Sequence, residues 1–369
     1  MGLIIGLILA SLLPLLFLWI IRRFDFYQIG QYHLILISLG WGFFAYLFAS
    51  LTNTTIEISG MVARETIERF IAPVLEEILK SLILLYLIRL PKFTYSVDGA
   101  LYGFAAGIGF AIIENFEYAI TDPSVPIVIL RILSANLVHA SSSAIIGIAI
   151  GVFHLRRTRS RWLVLAVSIL LAVGQHMFFN IMIGYVTSPV IAVGIGILSA
   201  IIIYLVMQRG KKQAQNWIKQ KLGAADRVTR AEVAVVDRLL SVDNLLLPVA
   251  ERFGPETASK VEKLLFLQAR LGIKRKTLES FQKEAELRNA VETEIREMQT
   301  EMDEARREIG AYPMLFVRGL FTKEMVSVWD RVQAKVRERS VLNGGIKGGG
   351  LWSALEERIK GPPEPERFE

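Results

Sequence analysis

The chain has 369 residues, 53% of them hydrophobic, a mean hydropathy of +0.43, 42 Lys+Arg against 35 Asp+Glu, and no Cys. A disulfide scaffold, a Cys-ligated metal centre and a thiol nucleophile are excluded, as is wholesale disorder. Residues 1–208 hold 12 basic and 10 acidic side chains and residues 209–369 hold 30 and 25, so the +7 charge reads as cytoplasmic loops plus a mixed-charge helical domain, with no nucleic-acid footprint.

A bilayer core takes about 20 apolar residues per helix. Seven stretches qualify, at about 2–21, 32–52, 70–89, 99–118, 126–153, 162–184 and 187–208. The fold expected is all-α: a polytopic membrane protein of about seven transmembrane helices with a C-terminal cytoplasmic helical domain. The first stretch lacks a basic n-region and is followed by Arg22-Arg23, an order expected of a retained helix. Basic residues cluster after stretches 1, 3, 5 and 7: Arg22 and Arg23; Arg89 and Lys92; Arg156, Arg157, Arg159 and Arg161; Arg209, Lys211 and Lys212. The connections 119–125 and 185–187 have none. The positive-inside rule then places the N-terminus outside and the C-terminal domain in the cytoplasm of a cell membrane. Between stretches 2 and 3, MVARETIERF (61–70) has the pattern of an interfacial amphipathic helix.

Three regions follow: a transmembrane domain at 1–208, a cytoplasmic helical domain at 209–340 and a flexible Gly- and Pro-rich tail at 341–369. Gly254-Pro255 marks a helix start and Gly272 a helix end. Leu278, Phe281, Ala285, Arg288, Val291, Ile295, Met298, Met302, Ala305 and Ile309 recur at steps of three and four, and Gly310 ends the run. Segment 271–309 is thus coiled-coil-like. It serves either self-packing or a homo-oligomer or cytoplasmic partner.

Charged and polar residues inside the apolar stretches cost about 2.5–3.5 kcal/mol each on insertion scales and mark function. The third stretch carries Glu76, Glu77 and Lys80, with Pro73 predicting a kink just before them. Lys80 can pair with either Glu; the other carboxylate is left over. The fourth carries Glu114 and Asn115, the fifth Arg131, Asn136 and His139, the sixth His176 and Asn180. Glu76, Glu114 and His176 fall in the outer half and His139 near the midplane, which permits a common polar cavity. Such a set suits water activation. Two His and a Glu make a zinc shell with an open position, and a metal-free Glu–His pair is the alternative. No HExxH, Walker A or Rossmann glycine motif occurs. Ser141-Ser142-Ser143 reads as close helix packing.

At these residues the chain resembles the PrsW family of intramembrane proteases, distantly similar to the CAAX-endopeptidase (CPBP) group. EExxK appears as Glu76, Glu77 and Lys80; FxxxE-N as Phe110, Glu114 and Asn115; a third helix carries His139 and Gly147; HxxxN appears as His176 and Asn180. The match covers roughly residues 1–208. It implies a membrane metalloprotease that cleaves a membrane-spanning protein, such as an anti-sigma factor, from the extracytoplasmic side in regulated intramembrane proteolysis. By carry-over, Glu76 or Glu77 is the general base, oriented by Lys80. Glu114, His139 and His176 are ligands of Zn2+, and Asn180 polarises the scissile carbonyl. The cytoplasmic helical domain has no counterpart in short members of the family. Two other readings remain open on the residues alone: a proton- or cation-coupled transporter using the same carboxylates, and a catalytically silent membrane scaffold.

Overall fold

The computed structural model describes residues 2–23, 25, 27, 30–155, 159–182, 188–239, 245–281 and 285–319, and among these the secondary structure is all helical. The first seven helices are α1 (Gly2–Arg22), α2 (Tyr32–Ile58), α3 (Ala72–Leu87), α4 (Ser96–Thr121), α5 (Val125–Leu155), α6 (Ser160–Met182) and α7 (Ser188–Lys221). Then come α8 (Arg230–Arg238), α9 (Leu247–Phe253), α10 (Pro255–Leu278), α11 (Ala285–Ile309) and α12 (Ala311–Gly319). The expected 341–369 tail, Arg156, Arg157 and the 185–187 connection lie outside the described residues.

Among the described residues, five helices are long and apolar enough to cross a membrane: α1, α2, α4, α5 and α6. The expected count of seven included two others. Stretch 70–89 becomes α3, only 16 α-helical residues and interrupted by charge. Stretch 187–208 is the first part of α7, which runs on unbroken to Lys221.

α4 is the centre of the bundle and is buried on nearly every side. Its small residues allow that. A Cβ on Gly107 would stand 2.6 Å from the Ala140 Cα of α5, a separation that no side chain tolerates. The α4–α5 approach therefore depends on the absence of a side chain, as in close-packed membrane helices. Ser142 fits the packing role, its hydroxyl donating to the Ala172 carbonyl of α6 at 3.2 Å. Ser141 Oγ donates to the Val138 carbonyl and accepts from Gln175 Nε2 at 2.7 Å.

The 61–70 segment differs from a simple amphipathic helix. It is a short α turn (Arg64–Thr66) followed by a π-helical turn (Ile67–Ile71), with Ile67 buried and most of its neighbours exposed. The π turn lies just before Pro73, where a kink was expected, and runs directly into α3.

The C-terminal half packs on one end of the bundle. Arg270 Nε donates to the Tyr27 carbonyl (3.1 Å), Lys274 Nζ to the Pro91 carbonyl (2.9 Å) and Thr277 Oγ1 to the Thr94 carbonyl (3.0 Å). The His154 ring, at the same end of α5, lies 5.1 Å from Phe281. Gly254 (φ +88°) precedes α10 and Gly310 (φ +85°) follows α11, as expected. The helix end expected at Gly272 is overturned: α10 continues to Leu278. Gly272 is there because α7 comes close, its Cβ position being 3.1 Å from the Ile218 Cα. Leu287, Val291, Ile295, Met302 and Ile309 are buried, and Met298 and Ala305 lie against the same core. Most of the heptad-like seam of α11 thus faces its own neighbours. Leu287 is buried where the expected seam had Arg288, which points outward to Glu292.

Candidate metal and proteolytic site

Four helices deliver the polar residues to one place. Glu76 and Glu77 lie one turn into α3, Glu114 about 10 Å from the end of α4, His139 near the middle of α5 and His176 about 9 Å from the end of α6. The α3 start and the α4 and α6 ends share one end of the bundle, opposite the C-terminal half. The expected convergence of Glu76, Glu114, His139 and His176 is what the structure has.

Lys80 is fully buried, and its ammonium donates to Glu77 Oε1 (2.7 Å) and to His139 Nδ1 (3.0 Å). An ammonium has no lone pair, so His139 Nδ1 must be the acceptor. The proton of that imidazole is then on Nε2, which donates to Glu114 Oε2 at 2.8 Å. His176 is arranged in the same way. Its Nδ1 donates to Glu77 Oε1 (3.0 Å), and its Nε2 lone pair faces Glu76 Oε2 at 3.6 Å. Each imidazole is thus oriented by a carboxylate through one nitrogen; His176 Nε2 keeps its lone pair free, whereas His139 Nδ1 is engaged by Lys80, whose ammonium must withdraw before that nitrogen can hold a metal. The two rings lie edge to face, 4.7 Å between centroids.

Glu76, His139 and His176 can each offer one ligand atom such that the three lie within 4.8 Å of one another. Glu76 Oε2 is buried with no hydrogen-bond partner, an expensive state for a carboxylate unless a cation or proton meets it. Two imidazoles and a carboxylate are a donor set that zinc accepts. With Lys80 turned away from His139 Nδ1 the residues fit a metal, and the carboxylate in the set is Glu76. Glu114, expected as a ligand, instead accepts from His139.

Three further groups shape the site; their residues stood out in the sequence, but without a specific role. Arg131 of α5 is buried, its guanidinium 3.3 Å from Glu114 Oε2 and 3.3 Å from the Tyr118 ring centre. Asn115 Nδ2 donates to Asn136 Oδ1, tying α4 to α5 just beside Glu114. Phe110 lies between Lys80 (4.6 Å) and the His139 ring (5.0 Å), an apolar wall against a cation. Asn180 is placed differently from expectation. Its amide donates to the Glu68 carbonyl in the π turn at 2.9 Å, so it ties α6 to the segment that leads into α3.

Residues 30–207 match a family model described as PrsW family intramembrane metalloprotease. Comparisons with curated proteins and with solved structures give no match. The matched span contains every helix that contributes to the Glu–His cluster, and over it the chain is similar to the PrsW family of intramembrane metalloproteases.

Proposed function

We propose that this chain is a zinc-dependent intramembrane peptidase, with seven spans, that cleaves single-pass membrane proteins near the extracytoplasmic face. The observation that carries the reading is the buried Glu76–His139–His176 donor set, with Glu76 Oε2 unpartnered inside an apolar helical bundle. Glu76, His139 and His176 would hold the ion, which when bound supplies Lewis acidity toward water and the scissile carbonyl. Glu77 fixes His176 through Oε1, and its buried Oε2 has no hydrogen-bond partner. That oxygen accepts the proton as water oxygen attacks the carbonyl carbon, and returns it to the departing amine as the C–N bond breaks. Lys80 compensates the Glu77 charge and keeps the pair oriented. Asn180, through Glu68, supports the entrance to α3. An anti-sigma factor is one substrate of the required kind, and the positive-inside charge pattern supports the extracytoplasmic side.

The test is proteolysis of single-pass substrates by the purified full chain, with bound metal measured in parallel. Glu77→Gln is expected to lower kcat about 10²–10⁴-fold with metal retained. Glu76→Gln, which removes a ligand, is expected to lower metal affinity by more than the ~10–100-fold lost with an outer partner. Cleavage unaffected by both changes would overturn the carboxylate assignments, and full activity without any metal would overturn the zinc.

A further inference from the structure

At the end of the bundle that carries the C-terminal half there is a cavity of about 620 Å³. Its bundle-side wall is made by the last residue of α1, the first residues of α2 and the loop before α4: Arg22, Tyr32, His33 and Lys92. These are the ends of apolar spans, so the cavity opens at the membrane boundary. The facing wall is α11, where Glu294, Glu297 and Glu301 recur at steps of three and four and so share one face.

The charges are partly segregated: Arg22 and Lys92 stand on the bundle side and the three carboxylates on α11, while Arg270 and Lys274 of α10 also line the space. Lys274 and Glu294 pair together. The side chains of His33, Lys92 and Glu297 form no hydrogen bond or ion pair among the described residues, and Glu301 has only a longer-range attraction to Arg270, although all line the same space. A gap with cations on the membrane side and carboxylates on the far side fits a ligand that is itself dipolar. Tyr32 is exposed at the first residue of α2 with the Arg22 guanidinium 2.9 Å from its ring centre. An aromatic ring at a span end is suited to the headgroup layer.

We propose that this cavity binds the phosphoethanolamine headgroup of a membrane phospholipid, with phosphate against Arg22, His33 and Lys92 and ammonium against Glu297 and Glu301. A guanidinium and an ammonium are good phosphate donors. A primary ammonium offers three N–H groups to the carboxylates, whereas a trimethylammonium offers none. A phosphatidylglycerol would bring an anion with nothing for the acidic wall.

The experiment is native mass spectrometry of the full chain in mild detergent. Phosphatidylethanolamine, phosphatidylcholine and phosphatidylglycerol of identical acyl chains are compared. Phosphatidylethanolamine is expected to be retained about fivefold over phosphatidylglycerol, the effect of one charge-assisted contact. Glu297→Gln/Glu301→Gln should remove that preference, and Lys92→Gln should weaken retention of both. Soluble glycerophosphoethanolamine should displace the lipid where inorganic phosphate at the same concentration does not. Equal or stronger retention of phosphatidylglycerol, a preference unchanged in the double variant, or displacement by phosphate alone would each overturn the assignment. The ranking on the unmodified chain decides even if a variant fails to fold.

Discussion

Arg131 sits among apolar residues of α5 with its guanidinium against Glu114 and the Tyr118 ring. It acts on the site through another residue: it fixes the carboxylate that fixes His139. Replacing Arg131 with Gln is expected to reduce kcat about 10–100-fold, as loss of an outer partner of a metal-bound His does, with KM little changed and Arg131→Lys recovering part of the rate. Equal kcat in the Gln variant would remove this role. Lys80 and Glu77 form a buried pair, so Lys80→Met alone leaves a stranded carboxylate and should cost about 3–5 kcal/mol. The Glu77→Gln/Lys80→Met double variant should regain much of that stability, read as thermal midpoint in detergent, but no activity. The sequence made the membership of this cluster legible, because a charge in a lipid-facing stretch is conspicuous. Which carboxylate joins the two imidazoles was not legible. Glu76 and Glu114 differ in how their helices are rotated about their axes, and residue spacing along one helix says nothing of its rotation against another.

At the scale of elements, the bundle depends on close backbone approach. Gly107→Ala would push a methyl group into the α5 turn that begins at His139. Overpacking of this kind costs about 1–3 kcal/mol, and here it also moves an imidazole, so activity should fall further than stability. Parallel measurement of thermal midpoint and cleavage rate checks this. The apolar stretches were readable as helices to within a few residues, except where α2 runs to Ile58, beyond the expected 52, and α7 to Lys221, beyond the expected 208. Gly272 was misread because a glycine that lets a neighbour approach looks the same in sequence as one that ends a helix. The α11 seam was readable as a stripe, but a stripe does not name its partner. Val291, fully buried within the chain's own core, supplies the test. Val291→Glu should lower stability by about 2–5 kcal/mol, the scale of losing a buried aliphatic side chain, without altering sedimentation of the full chain. A change in mass instead would assign the seam to an oligomer.

For the whole molecule, the absence of native Cys makes a single introduced thiol an unambiguous reporter. Asp122→Cys, between α4 and α5, should label from outside intact cells; labelling only after lysis would invert the proposed orientation. The Glu–His cluster and the C-terminal half occupy opposite ends of the bundle, yet α7 belongs to both. It begins at Ser188 and runs for 34 residues, about 51 Å, to Lys221, where Lys221 meets Glu279 beyond the end of α10. The hydrogen bonds that Glu279 accepts from Lys221 and Lys276 hold its carboxyl below the usual range. Two units joined by a loop can swing independently and are parted by a single nick. Here the joint is a continuous helix, so it offers a protease no extended strand to grip. A load applied to the C-terminal half is therefore delivered as tilt or twist of a helix that leans on α5, the helix of His139.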